Sequence, residues 1–203
     1  MNTTEIKSQN KCNNFYDMWK IANEQFLRYE KIEGIDNWKE YDFSIDCAED
    51  QMKFKDMMQI RFIEELTEAA DAIVSEHNYD HFLEEIADAL NFFLSGYIML
   101  GKDINDLPEI ILTNHKITLN NINEISELFF PVIYRVGKLC NLLKNRPWSQ
   151  SNYLCSLTDF NRELINLWNE FWNMINCICN ESDILDIFWR KIEVNKFRIK
   201  TGY

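Results

Sequence analysis

Apolar residues recur every three or four positions along most of this chain, and no stretch alternates convincingly between apolar and polar positions. A period of three to four places apolar side chains on one face of an α-helix, whereas a half-buried strand needs a period of two. We therefore predict an all-α fold, a helical bundle formed by a single domain over residues 1–203.

The apolar pattern predicts a pair of long helices in the first half of the chain. One helix begins near Asp46 and breaks at residues 77–80, and the next resumes at Phe82 and stops at Gly101, a residue suited to ending a helix. Their short connection predicts antiparallel neighbours. Five alanines would let the two helix axes come close: Ala69, Ala70, Ala72, Ala87 and Ala89.

The same pattern predicts further helices over residues 13–32, 103–119, 122–145, 154–179 and 183–200. Pro108 is tolerable only in the first turn of its helix, and Pro131 and Gly137 predict a kink or two shorter helices. Ser182 or Asp183 can cap the last helix. Residues 35–46 are expected to form an ordered aromatic loop.

Composition narrows the class of protein. At 46% hydrophobic residues the chain can bury a sizeable core, but no run approaches the roughly 18 apolar residues of a membrane span. The polar N-terminus has no apolar segment typical of a secretory signal, so we expect a soluble, cytoplasmic protein that holds its six cysteines reduced. A net charge of -12 disfavours binding to nucleic acid.

The negative charge is concentrated in residues 62–90, which contain no Lys or Arg. Two short acidic motifs, EELTE and EEIAD, stand on either side of a polar break in this stretch. So many like charges need solvent or a cation nearby. The acids are Glu64, Glu65, Glu68, Asp71, Glu76, Asp80, Glu84, Glu85 and Asp88.

Helical spacing brings the acids of each motif together. Residues three or four apart share a face, so Glu68 projects with Glu65 or Glu64, and Asp88 projects with Glu85 or Glu84. Antiparallel packing would then gather four carboxylates, which repel one another unless a divalent ion neutralises them. Oxygen ligands without Cys or His favour Mg²⁺, with Mn²⁺ as a possible substitute.

The alternative interpretation is that these acids form an ordinary solvated helix face, since acidic pairs three apart are common there. Two pairs on neighbouring helices, without basic residues to form ion pairs, favour the metal site. His77 and His81 are four residues apart, and we interpret them as a solvated loop pair rather than as metal ligands.

The C-terminal segment is basic. From Arg190 to Tyr203 five basic residues stand against one acid, and Lys191, Asn195 and Arg198 lie on one stripe of a helix. Lys and Arg flanking an Asn suit triphosphate oxygens, although a basic helix end that complements its dipole is an equal alternative. With phosphates between them, the acidic and basic segments would form two sides of one site.

These residues resemble a known family. EELTE and EEIAD are similar to the paired Glu-x-x-Glu and Glu-x-x-Asp signature of the all-α nucleoside triphosphate pyrophosphatases, the superfamily of the MazG proteins and the dimeric dUTPases. Residues 88–95, DALNFFLS, resemble a run shared by dimeric dUTPases and phage dCTPase/dUTPases. Lys191, Asn195, Arg198 and the closing Gly-Tyr are similar to their C-terminal motif.

The resemblance implies a Mg²⁺-dependent hydrolase that attacks the α-phosphorus of a nucleoside triphosphate, most simply dUTP or dCTP, and releases pyrophosphate and a monophosphate. It further implies Glu64 or Glu65 as the residue orienting water, and a homodimer. The implied magnesium ligands are Glu65, Glu68, Glu85 and Asp88. The implied phosphate ligands are Lys191, Asn195, Arg198 and Tyr203.

Two departures from the family concern the substrate. Asn91 stands where many dimeric dUTPases have His, and the connection HNYDH lacks their Lys. A pyrimidine needs an amide to read its edge and an apolar wall to stack on, so we place the base near Asn23, Gln25, Trp38 and Asn91.

Two other functions remain open at this point. One is a MazG-type pyrophosphatase with broad specificity, and the other is a helical interaction protein that keeps the fold without catalysis. The proposed site makes one geometric demand, because residues 191–198 must return over residues 65–88, within one subunit or across a dimer.

Overall fold

A computed structural model of the chain describes residues 12–26, 43–110, 121–143 and 156–201. The described residues form helices and connections without a β-strand, which confirms the all-α class. The helices are α1 (Phe15–Phe26), α2 (Ala48–Lys55), α3 (Phe62–Val74), α4 (Tyr79–Met99), α5 (Ile122–Leu142), α6 (Leu157–Ile178) and α7 (Glu181–Thr201).

Helices α3 and α4 form the expected antiparallel pair and make the most extensive helix contact in the described chain. Asn78 begins α4, because its side chain accepts a hydrogen bond from the His81 amide. Gly101 ends the pair at φ 67°, a conformation that glycine adopts without strain. Four of the five alanines singled out in the sequence are fully buried: Ala69, Ala72, Ala87 and Ala89.

A π-helical turn, Asp56–Arg61, joins α2 to α3. Its Met58 is buried against Gly96 of α4, so closely that a Cβ at position 96 would lie 2.6 Å from the Met58 sulfur. The absence of a side chain at Gly96 therefore lets this turn pack onto α4.

Aromatic residues fix α6 against the α3–α4 pair. The Phe62 and Phe171 rings pack edge to face with centroids 5.0 Å apart, and Phe93 stacks on Trp168 at 5.8 Å. Each such side chain contributes about 1.5–3 kcal/mol of burial free energy. The hydroxyl of Tyr97 donates to the Leu164 carbonyl, which satisfies the one polar atom of this buried side chain.

Helix α7 packs along α4, and α1 packs against both α4 and α7. The Asn180 side chain accepts a hydrogen bond from the Asp183 amide, so Asn180 caps α7 and the prediction of Ser182 or Asp183 was wrong. This packing brings the basic end of the chain alongside the second acidic motif.

Other predicted boundaries need correction. Residues 103–110 are not α-helical, because a short 3-10 turn at Ile104–Asp106 gives way to extended backbone at Leu107, as expected before Pro108. Helix α5 continues through Pro131 and Gly137 instead of dividing into two helices. The helix predicted over 154–179 is found as α6.

Parts of other predictions lie outside the described residues, including positions 27–32 of the first helix and most of the aromatic loop at 35–46. None of the described helices combines the length and apolar character needed to cross a membrane.

Candidate metal and phosphate site

Three carboxylates from the two acidic motifs meet between α3 and α4. Glu65, Glu68 and Glu85 each offer an oxygen, and these atoms all lie within 4.8 Å of one another. We call these three residues the carboxylate cage. Glu68 faces solvent, Glu65 is half-buried and Glu85 is buried, so the cage opens at the protein surface. Within the described ranges, no other group of three or more such side chains comes this close together.

The donor set suits a small hard cation. Ligand oxygens of Mg²⁺ lie about 2.1 Å from the ion, so opposite ligands are about 4.2 Å apart. The cage oxygens lie within 4.8 Å of one another, so small side-chain movements would bring them to one ion. Carboxylate oxygens without thiolate or imidazole favour Mg²⁺ or Mn²⁺ over softer metals.

Burial and neighbouring acids disfavour the ionised form of Glu65. Burial, the charge of Asp88 and a hydrogen bond with Glu85 together raise the pKa of Glu65 to about 9. In the metal-free cage the raised pKa therefore favours the protonated form of Glu65, which is hydrogen-bonded to Glu85. A divalent cation would replace that proton, since carboxylates bind metal in the ionised form.

Asp88 was expected to be the fourth metal ligand, but it is not part of the three-carboxylate cluster. Its carboxylate Oδ2 instead lies 2.5 Å from Nζ of Lys191, which is 10% exposed. Burial raises the pKa of Asp88 to about 6, although the Lys191 and Arg198 charges oppose that rise. Burial would lower the pKa of Lys191, but the Asp88 charge overcomes it, so the pKa is raised and the ammonium stays charged.

The Lys191–Asp88 pair shows that residues 191–198 return over the acidic helices within a single chain, as the predicted site requires. The basic stripe of α7 returns over α4, with Lys191 buried beside the second acidic motif. Asn195 is half-buried and Arg198 exposed on the following turns, and Arg198 is near enough to lower the pKa of Asp88. Tyr203 lies outside the described residues.

Of the two acids proposed to orient water, only Glu65 belongs to the cage. Glu64 is exposed and lies outside the cluster. A helix turns by about 100° per residue, so adjacent side chains cannot share a face. Glu65 is therefore the better placed of the two.

The proposed base pocket divides into exposed and buried residues. Among the residues that the structure describes, Gln25 is fully buried in α1 without a hydrogen-bond partner for either amide atom, and Asn91 is buried with its Oδ1 unpaired. Asn23 is exposed, since two positions along a helix separate it from Gln25 by about 200°. Trp38 lies outside the described residues.

His81 makes two contacts that the sequence interpretation missed. Its Nδ1 lies 2.6 Å from Oε2 of Glu76 and its Nε2 lies 3.0 Å from Oε1 of Glu85. The ring therefore bridges the α3–α4 connection and a cage carboxylate. The spacing of four between His81 and Glu85 on one helix was the available signal. His77 is separate, because its ring contacts the Ile73 carbonyl.

A cavity of about 340 Å³ lies between the first turns of α4 and α7. Four acids line it, namely Asp80, Glu84, Asp183 and Asp186, with Arg190 as the single cation. This negative lining is unsuited to a triphosphate.

Comparisons of this chain with protein-family models, with curated proteins and with solved structures found no match.

Proposed function

We propose that this protein is a Mg²⁺-dependent nucleoside triphosphate pyrophosphohydrolase acting on dUTP or dCTP. The observation that carries the proposal is the carboxylate cage beside a buried, charged lysine. A triphosphate with its magnesium ions needs this combination, because anionic ligands hold the metal and a cation faces the phosphate oxygens.

The roles of the chain's own residues follow from this arrangement. Glu65, Glu68 and Glu85 would hold the metal. Asp88 would hold Lys191 in place beside them. When bound, Mg²⁺ would polarise the phosphoryl oxygens and lower the pKa of a bound water. Glu65 orients the attacking water and accepts its proton, while Lys191 and Arg198 offset the charge that develops on the leaving pyrophosphate.

The unpaired amides favour a substrate with a hydrogen-bonding edge. A buried amide group without a partner costs about 1–3 kcal/mol, which a ligand that pairs with it recovers. Gln25 and Asn91 carry such unpaired atoms in helices that pack together, α1 and α4. Amide side chains can offer either a donor or an acceptor, so they suit the edges of both uracil and cytosine.

The test is a substrate panel with product identification. Wild-type protein is incubated with each of the common dNTPs and NTPs in Mg²⁺ or in EDTA, and the products are separated chromatographically. We expect dUMP or dCMP with pyrophosphate, dependent on the metal. Release of single phosphates from the γ position, or no turnover of any nucleotide, would overturn the proposal.

The same panel separates the two other functions. Similar turnover of purine and pyrimidine triphosphates indicates a MazG-type enzyme of broad specificity. The absence of turnover, with a melting temperature that Mg²⁺ does not change, indicates an interaction protein.

A further inference from the structure

His81 occupies a defined position beside the cage although it is not one of the acids. It lies in the first turn of α4, where its backbone amide binds the Asn78 cap. Its side chain is 37% exposed and contacts Glu85, the most buried acid of the cage, at 3.0 Å. Asn78 thus holds the backbone of His81, and Glu85 holds one edge of its ring.

Glu76 fixes the other edge of the ring. This acid lies in the connection before α4, and its carboxylate is 2.6 Å from Nδ1 of His81. The Glu76 charge balances the charge of a ring that carries both protons, so the pair adds little repulsion toward a cation in the cage. The main effect of the ring on the cage is therefore to orient the Glu85 carboxylate.

We propose that His81, held by Glu76, is a positioning residue that orients the Glu85 carboxylate for metal binding. The inference rests on the proposed function, since it assumes that the cage binds a divalent ion. Partners behind a metal ligand restrict its rotamers, and their removal typically lowers metal affinity about 10–100-fold.

A role for His81 as a direct metal ligand fits the geometry less well. Its two ring nitrogens face carboxylates on opposite sides, which requires an N–H at each and leaves no lone pair for a metal. In addition, the cluster of mutually close ligand atoms contains the three glutamates without His81.

The test measures Mn²⁺ binding directly by calorimetry, in wild type and in the variants His81→Ala and His81→Gln. We expect His81→Ala to raise the Kd for Mn²⁺ about tenfold. The Gln side chain can still donate to Glu85, so His81→Gln should recover part of that loss. Glu76→Gln should weaken binding in the same direction, and His77→Asn is the matched control that leaves it unchanged.

The outcomes separate the two proposals. Unchanged or tighter Mn²⁺ binding by His81→Ala, with wild-type binding intact, overturns the positioning role alone. Failure of wild-type protein to bind Mn²⁺ overturns the metal site and the positioning role together. Repeating the titration with Zn²⁺ tests direct ligation, because loss confined to Zn²⁺ would show that the imidazole itself is a ligand and would contradict positioning.

Discussion

At the scale of single residues, Glu65 is the carboxyl group of the cage whose pKa is raised by burial and by neighbouring acids. Burial and the neighbouring Asp88 and Glu85 raise its pKa to about 9, so the metal-free protein offsets repulsion by retaining a proton. The strain is relieved in either of two ways, by a proton or by a divalent cation. Substitution of Glu65 should therefore change both the rate of hydrolysis and the pH dependence of protein stability.

Glu65→Gln should lower hydrolysis at least about 100-fold while the protein remains folded, because the amide neither binds the metal as tightly nor accepts a proton from water. Steady-state pyrophosphate release with circular dichroism measures both effects. Asp71→Asn is the control, since Asp71 is an exposed acid of the same helix outside the cage. Wild-type activity in Glu65→Gln would contradict the role assigned to this residue.

The stability of the metal-free protein should fall as the pH rises from 4.5 toward about 9. In this range the unfolded chain ionises Glu65 while the folded chain holds the proton, so folding takes up a proton and higher pH opposes it. Thermal melting in EDTA across this range measures the trend. Glu65→Gln should flatten it, and saturating Mg²⁺ should reduce or reverse it, because metal binding requires ionised carboxylates.

Lys191 should matter for both stability and substrate binding. Lys191→Ala leaves Asp88 without its 2.5 Å partner, which should cost about 2–3 kcal/mol, below the fully buried value because Asp88 keeps 20% exposure. The KM for the triphosphate should also rise. Lys200→Ala, an exposed lysine of the same helix, is the control for both measurements. Equal effects of the two variants would contradict the role of Lys191.

At the scale of elements, the close packing of α4 with the π-helical turn before α3 supports the cage. The Met58 sulfur lies only 2.6 Å from where a Cβ of residue 96 would be, so even one added methyl group must displace a buried side chain. Because the turn leads directly into α3, a shift there would move Glu65 and Glu68 relative to Glu85.

Gly96→Ala should therefore destabilise the protein by about 1–3 kcal/mol, the usual cost of overpacking a core. Urea unfolding measures the free energy, and the double variant Met58→Ala/Gly96→Ala should show strong coupling between the two positions. Gly137→Ala is the matched control, since a Cβ there has no neighbour within 4 Å and should stabilise α5 by up to about 1 kcal/mol. Similar free energies for both glycine variants would refute the tight contact.

Helical periodicity, and the preference for glycine at helix ends, predicted the helices that carry the acids. Spacing predicted a break between α3 and α4, although it lies at residues 75–78 instead of 77–80, and it predicted the stop at Gly101 and the convergence of Glu65, Glu68 and Glu85. The π-helical turn was not predicted, because such turns are rare and occur mostly as single turns inside α-helices. The helix predicted through Pro108 gave too little weight to the restriction that proline places on the residue before it.

Side-chain partners were harder to predict than elements. The sequence indicated that Lys191 faces the acids but not that Asp88 is its partner, because that choice depends on the rotation of α7 about its axis. The contact of His81 with Glu76 depends on the path of the α3–α4 connection, which spacing alone does not specify. Asn23 and Gln25 could have been separated from helix geometry, since two positions cannot share a face.

At the scale of the whole molecule, the bundle brings two oppositely charged segments together that are about 100 residues apart in the chain. Helix α7 returns along α4, so the acids and Lys191 meet within one subunit. A homodimer remains our expectation, but the pairing of these charges does not require a second copy. The molecule thus presents three clustered carboxylates and a buried lysine on adjoining helices.

The most direct test of this account is the position of isotope after hydrolysis of dUTP or dCTP in heavy-oxygen water with Mg²⁺. Attack of water at the α-phosphorus puts the heavy oxygen in the nucleoside monophosphate, which mass spectrometry detects, and leaves the pyrophosphate unlabelled. We predict label in the monophosphate, with the reaction lost in EDTA. Label in pyrophosphate or in free phosphate, or turnover that persists without divalent metal, would contradict it.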